Sequence, residues 1–370
     1  MALTLHGTVA DNTVVLDRQN SKPIIINGGM TIAQRGTSHT GHTGSAYTLD
    51  RMYVRMSGAG TWTITQDTDV PTGYGFTNSL KMDCTTANSS LDAGDFIFLN
   101  IRFEKQDMRI FNKGTSDAKK ITVAAWVKSP TTGTHVVGLY DANSSTNRYC
   151  MQTYTISSAN TWTKAIVTFP GDTGGDEMGT DNTHGMNLQF WFAAGSNYSS
   201  GTAATAWENY TAANQAVGQV NCSSSTDNNI LITGIQMEVG EFDVNSIAPF
   251  QHEAHGDSLA RCQRYYFMLV NENSKNFGAG GYYNANLFAT NIPFPVTMRS
   301  APSVDKEVGS NFFNILANNT ADACDDFALV RASTTCAGLD FTTNVSGTQG
   351  HGGVIATGSA SAQIAFESEL

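Results

Sequence analysis

Residues Asn229 to Tyr266 read NILITGIQMEVGEFDVNSIAPFQHEAHGDSLARCQRYY, and the rest of the chain is organised around this stretch. From Ile230 to Val239, β-branched and apolar residues are dense and no proline interrupts them. A two-residue period puts Leu231, Thr233, Ile235, Met237 and Val239 on one face of a pleat, and Ile230, Ile232, Gly234, Gln236 and Glu238 on the other. Gly240 and Asp243 to Asn245 break the run, and Pro249 ends it. Asp257 or Ser258 can then cap a helix. Leu259, Cys262, Tyr266 and Leu269 follow at helical spacing, with Arg261 and Arg264 turned outward. Burying such a stripe is worth roughly 1.5–3 kcal/mol per large side chain, enough to dock a helix too short to stand alone. The stretch reads as the last strand of one β domain, leading into a helix that fixes the next domain in place.

Working outward, the same alternation recurs upstream. Trp62 and Ile64 share one side of a pleat, Thr63 and Thr65 the other. In DAGDFIFLNIRFE, Ile97, Leu99, Ile101 and Phe103 face one way while Asn100, Arg102 and Glu104 face the other, as in a half-buried strand. KKITVAAWVKSP repeats the pattern and places Trp126 centrally. NTWTKAIVTFPGDTGG and NLQFWFAAGSNYSSG follow, separated by Gly, Asn, Asp and Ser turns that suit a sandwich. Downstream, Ala362, Ile364 and Phe366 alternate as a final strand. All five Trp precede residue 208, so the last third of the chain relies on Phe, Tyr and Leu.

At 370 residues the chain is long enough for two or three domains with a proper core. Only 14% of its residues are charged, well below an ordinary soluble domain, and Ser, Thr, Asn and 35 Gly fill the gap. That mixture suits short strands and many turns. The net charge is −11 and the 21 Lys and Arg are scattered, which argues against a nucleic-acid groove. Six Cys are present without any C-x-x-C pair, so a zinc knuckle is excluded. Cys262 reads as a small buried hydrophobe; Cys324 and Cys336 could pair, although a reducing compartment favours free thiols. The N-terminal MALTLHGTVADN has no basic or apolar leader region, so no signal peptide is expected, and no apolar run is long enough to insert in a membrane. No repeat, heptad or Gly-X-Y tract is apparent.

ITGIQMEVG followed by APFQHEAHGDSLARCQRYY resembles the junction of bacteriophage tail-fibre and other virion surface proteins. There a glutamine-and-valine strand leads to a "PFE" turn and a "CQRYY" helix; Gln251 stands where that pattern has Glu. IIINGGMTIAQRGTS and YTLDRMYVRMSGAGTWTITQDT resemble the opening of the sandwich in those proteins, NLQFWFAAGSNYSSG resembles its F-W-x-A-A-G-S strand, and NANLFATNIPFPVTMRSAPSV resembles the element after the helix. The resemblance implies an all-β chain: an N-terminal arm over 1–28 that docks on the virion, a large jelly-roll β-sandwich of the carbohydrate-binding-module type over 29–249, one short linking α-helix over 250–270, and a smaller C-terminal β-sandwich over 271–370. It also implies a non-enzymatic virion structural protein of the tail-fibre type. Such a protein attaches to a host cell-surface glycan, is commonly a homotrimer, and contacts other virion proteins of the tail, baseplate or capsid. A capsid-surface decoration or head-fibre protein is the alternative with the same fold.

Several clusters could carry chemistry. Sugars stack on exposed aromatic faces beside amide and hydroxyl groups. Tyr282 and Tyr283, after a glycine-rich loop, and Trp207 with Tyr210 are the candidate glycan-binding pairs; the plainer reading is that each is a core or corner aromatic. Asp172, Asp176, Glu177 and Asp181 crowd one glycine-rich loop, and hard cations want several oxygens from such a loop. They are the candidate ligands of a structural Ca²⁺, against a solvated acidic loop. His252-Glu253-Ala254-His255 lacks one residue of the H-E-x-x-H spacing of a zinc hydrolase. His39 and His42 have no carboxylate or Cys beside them. No G-x-S-x-G is present, so no catalytic residue is assigned.

Overall fold

The structure is a computed structural model and describes residues 22–143 and 147–370. Residues 1–21 of the N-terminal arm expected over 1–28 lie outside them. The described chain is nearly all β, as expected. Two antiparallel sheets face one another to form the large sandwich. One has six strands in the order Ser38–His42, Thr61–Asp67, Ser79–Thr86, Asn229–Val239, Ile121–Lys128 and Thr163–Phe169. The other has seven, in the order Glu208–Asn209, Arg148–Ile156, Gly133–Asp141, His184–Ala194, Phe96–Glu104, Tyr53–Ser57 and Ala46–Tyr47. Alternation aims Trp62 and Ile64, then Ile97, Leu99, Ile101 and Phe103, then Leu188, Phe190 and Phe192, into one core between the sheets. The opposite phase of the seven-stranded sheet carries a separate apolar cluster with Phe98, Tyr149, Met151 and Trp191.

The strand that anchors the fold departs from simple alternation. Thr233 pairs with Trp126 and Gln236 with Ala124, so one extra residue is inserted between them. Gly234 sits in that bulge at φ +62°, and a Cβ there would lie 2.5 Å from Phe76 Cζ. A bulge reverses the phase of the pleat. Ile230 and Ile232 therefore enter the core together with Ile235 and Met237, although strict alternation had set them on opposite faces. Ile235 N–H, displaced by the bulge, donates to Gly28 O at 3.0 Å, which ties the INGGM turn to the sheet.

Trp126 is also not central. Val123, Ala125 and Val127 take the inward phase, and Trp126 packs on the outer face against Tyr74, ring centroids 4.4 Å apart. The linking helix spans His255–Gln263 and is shorter than the periodicity suggests. Neither Asp257 nor Ser258 caps it; Ala254 precedes it and Asp257 lies in its first turn, where a negative charge suits the helix dipole. Tyr266 and Leu269 belong instead to the strand Tyr266–Val270, which pairs with Gln363–Glu367. Long-range pairing of an aromatic and apolar run overrides a marginal helical period.

The C-terminal part is a second, smaller sandwich. Its three-stranded sheet has the order Tyr266–Val270, Gln363–Glu367 and Ser303–Glu307. Its seven-stranded sheet has the order Thr320–Cys324, Phe313–Ala317, Gly352–Thr357, Asn276–Asn284, Leu287–Pro293, Cys336–Phe341 and Phe327–Val330. Phe288, Phe313, Phe341, Ile355, Ile364 and Phe366 form its own core. All six Cys are free, and five of them are buried.

Polar side chains lock the two sandwiches together. Gln34 Nε2 donates to Asp50 Oδ1 at 2.5 Å and to Tyr266 O at 2.7 Å. Arg35 lies 3.6 Å over the Tyr266 ring, and Arg51 3.6 Å over that of Tyr265. Arg51 also pairs with Glu369. Arg264 is not simply turned outward: it donates to Glu104 at 2.8 and 2.9 Å, and Tyr265 Oη donates to the same carboxylate at 2.6 Å. Arg261 likewise pairs with Glu253 at 2.7 Å.

Candidate functional site

The outer face of the seven-stranded sheet of the large sandwich is hollowed into a groove of about 340 Å³. Three cross-strand rows build its floor. Arg55 stands opposite Phe98, and Phe98 opposite Trp191. In the next row Tyr53 stands opposite Asn100, Asn100 opposite Gln189, and Gln189 opposite Gly138. In the third, Arg102 faces Asn187, which faces Tyr140. The rows follow from the inward phase already described: where Leu99, Ile101, Leu188 and Phe190 enter the core, their neighbours must face out. Gly138 gives up its own side-chain space to Met151, whose Sδ would lie 1.9 Å from a Cβ there.

The wall is aromatic. Phe98 and Trp191 rings are 4.5 Å apart, and Tyr198 meets both Phe96 at 5.3 Å and Trp191 at 5.8 Å. Tyr210 closes the other side, edge-on to Tyr140 at 5.8 Å and to Tyr149 at 5.7 Å. Its loop is held there by a hydrogen bond from Tyr210 N to Asn147 O at 2.9 Å and by Tyr149 Oη, which donates to Glu208 at 2.7 Å.

The floor is polar and incompletely satisfied. Asn100 is 1% exposed, Gln189 4% and Trp191 1%. Asn100 Oδ1, Gln189 Oε1, Trp191 Nε1 and Arg102 Nε are buried and find no partner among the described residues. Buried polar groups are nearly always hydrogen-bonded, so these four atoms leave unmatched polar capacity in the residues that line the groove. His184 bonds Asn187 Oδ1 at 2.5 Å. Burial, with Arg102 and Arg51 nearby, holds its pKa below the ordinary imidazole value against the effect of that bond, so His184 is neutral at pH 7. No Asp or Glu is among the described residues that line the groove.

The structure separates the residues singled out from sequence. Tyr210 lines the groove and is 42% exposed. Trp207 does not join it: its Nε1 donates to Pro170 O at 2.7 Å and its ring packs on the main core. Tyr282 is buried in the second sandwich, where its Oη donates to Asp322 at 3.0 Å; burial and that carboxylate push its pKa well up. Tyr283, 74% exposed, stands on the second sandwich away from the groove. Asp172 is buried and bonded by Arg148 at 2.8 Å, with Lys113 at 3.4 Å. Asp181 accepts from Thr183 N–H at 2.8 Å. Among the described residues no three His, Cys, Asp or Glu side chains are arranged to hold a metal ion. Asp172 is thus committed to two cations. His252 Nε2 donates to Tyr74 O at 2.9 Å, and Glu253 is held by Arg261.

A second hollow, of about 290 Å³, lies at the junction between Lys22, Pro23, Arg261 and Arg264. The one aromatic ring among its described lining residues, Tyr265, is already bonded to Glu104. Among the groove residues that sequence reasoning missed are Arg55, Phe98, Tyr140, Gln189, Trp191 and Tyr198. For Phe98, Tyr140, Gln189 and Trp191 the signal was amides and aromatics in the outward phase of otherwise apolar strands.

No protein-family model matches the sequence, and no curated protein does. Among solved structures, the chain is similar to the enzymatically active domain of bacteriophage CBA120 tailspike protein 4, at 12% identity over 59% of this chain and 21% of that one, with a TM-score of 0.32. It is also similar to the C-terminal family 22 carbohydrate-binding module of Clostridium thermocellum Xyn10B, at 13% identity over 55% of this chain and 98% of that one, TM-score 0.28. A third is the CBM22-2 xylan-binding domain of Paenibacillus barcinonensis Xyn10C, at 12% identity over 50% and 91%, TM-score 0.28. At these values the likeness extends no further than sandwich architecture, and the chemistry of the groove comes from this chain's own residues.

Proposed function

We propose that the chain is a non-enzymatic attachment protein of a phage particle, of the tail-fibre type, whose large sandwich binds a host-surface glycan in the groove over Trp191, Gln189 and Asn100. One observation carries the binding reading: aromatic faces and buried, unpartnered amide and indole groups share one open groove. A sugar presents an apolar face and a rim of hydroxyls, and these two surfaces answer that combination. Glycoside hydrolysis needs two carboxylates flanking the scissile bond, and the lining residues include none, which favours binding over cleavage. The phage setting, the homotrimer and the contacts with tail, baseplate or capsid proteins rest on the resemblance of the 229–266 junction and the sandwich opening. Gln34 and Arg35 of that opening touch Tyr266 of the junction, so the two stretches act as one structural unit.

Two measurements test the proposal. The purified chain is applied to immobilised host-surface polysaccharide, with Gln189→Leu beside it. Retention lost in the variant is the expected result; retention equal in both refutes the groove as the site. Antibody labelling of intact particles is expected at the tail, at few copies, and label spread over the capsid refutes the tail-fibre role.

A further inference from the structure

The groove is the reverse in charge of the chain that carries it. The chain is net −11, yet the groove's described lining holds two guanidinium groups, Arg55 and Arg102, a neutral His184, and no carboxylate. We infer that the ligand is an acidic saccharide, one bearing a carboxylate or sulfate group, which Arg55 receives at one side of the groove while Trp191 and Phe98 carry the sugar face. The inference rests on the glycan-binding reading above and deepens it.

Arg55 carries the argument. It is exposed on the strand Tyr53–Ser57, and its side chain makes no hydrogen bond or ion pair with any described residue, while lying 5.5 Å over the Phe98 ring and 5.8 Å over that of Phe96. Contact with the two ring faces leaves its N–H groups unoccupied, so its fork stays free for a planar bidentate acceptor. It shares a row with Phe98 and Trp191, two strand spacings or about 9–10 Å from the indole. A sugar stacked on the indole can therefore carry its charged substituent, or that of the adjoining unit, to Arg55.

Arg102 supports the same sign. Its Nη1 is bonded to Leu370 O and its face lies 4.2 Å from the Tyr53 ring, but its buried Nε has no partner. Asp141, next to Tyr140 in the chain, pairs with Lys113 at 2.7 Å, and Glu208, near Tyr210, accepts from Tyr149 Oη at 2.7 Å; neither is in the lining. With low-dielectric aromatic walls, the unpaired Arg55 guanidinium gives the groove a positive potential, which draws in an anionic ligand that the net-acidic chain would otherwise repel. Single-stranded nucleic acid also answers cations beside aromatics. It wants a basic track along its backbone, and two guanidinium groups do not make one.

The test is affinity electrophoresis of the full chain through gels holding polygalacturonate, the same polymer after carboxyl reduction, dextran sulfate, neutral dextran, or a single-stranded oligonucleotide, followed by an array of acidic and neutral glycans. The expected result is retention by an acidic polymer about tenfold or more stronger than by its reduced or neutral counterpart. The Arg55→Gln variant, whose exposed site leaves folding intact, should erase that preference. Polygalacturonate against dextran sulfate separates carboxylate from sulfate. Equal retention by acidic and neutral sugars, unchanged in Arg55→Gln and lost in Gln189→Leu, overturns the charge inference and leaves the groove reading standing. No retention by any glycan on the array overturns both, and retention by the oligonucleotide alone replaces them.

Discussion

Replacing Gln189 by Leu should separate stability from binding. Gln189 is 4% exposed, stands opposite Asn100 across the sheet, and its buried Oε1 has no partner among the described residues. An unsatisfied buried polar group costs the fold about 1–3 kcal/mol, and an apolar group of similar shape removes that cost. Gln189→Leu should therefore leave the free protein as stable as before or more so. A gain of 1 kcal/mol raises Tm by about 2–4 °C in a domain of this size. Ligand binding should move the other way. A sugar hydroxyl facing Leu would itself be buried without a partner, again about 1–3 kcal/mol, which is about 5- to 150-fold in Kd. Thermal unfolding of the free chain and titration with a retained glycan measure the two effects on one preparation. A variant that is clearly destabilised would show that the amide serves the fold, and unchanged Kd would show that it does not meet the ligand. Either result refutes the reasoning.

Other substitutions give sharper local readings. Tyr210→Ala removes an exposed groove wall, so affinity should fall about 3- to 10-fold by titration, as for loss of one aromatic contact, with little change in Tm. Tyr283→Ala should leave glycan affinity unchanged, and a loss there would move the site to the second sandwich. Gly234→Ala forces a Cβ into φ +62° and against Phe76, and should cost about 2–4 kcal/mol in urea unfolding. Burial alone would raise the Glu104 pKa, but the Arg264 and Tyr265 hydrogen bonds outweigh it and hold the carboxyl below its usual range. A depressed carboxyl contributes its stability above the unfolded value of about 4.3 and loses it as pH falls through the lower folded value. Glu104→Gln should thus be less stable than the parent by about 1–3 kcal/mol at pH 7. The gap should narrow on going to about pH 3 in paired urea titrations; a gap independent of pH would rule this linkage out.

The buried faces of regular strands were legible in the residues alone. A two-residue period is a local property, so Ile97, Leu99, Ile101 and Phe103, and the final Ile364 and Phe366, could be assigned inward without knowing any partner. The same period also set Asn100 and Arg102 outward, which is one strand's share of the groove floor. It failed where a neighbour changes the local rule. The Gly234 bulge exists because Gly28 and Phe76 pack against it, so the phase of Ile230 and Ile232 depends on residues far away in sequence. Tyr266 is a strand residue because Gln363–Glu367 lies beside it, about a hundred positions later. The groove belongs wholly to this second kind. Arg55, Phe98, Gln189, Tyr140 and Tyr210 meet because strands from separate parts of the chain become neighbours and one loop folds over their end. Local alternation decides which way a side chain points; only long-range pairing decides what stands next to it.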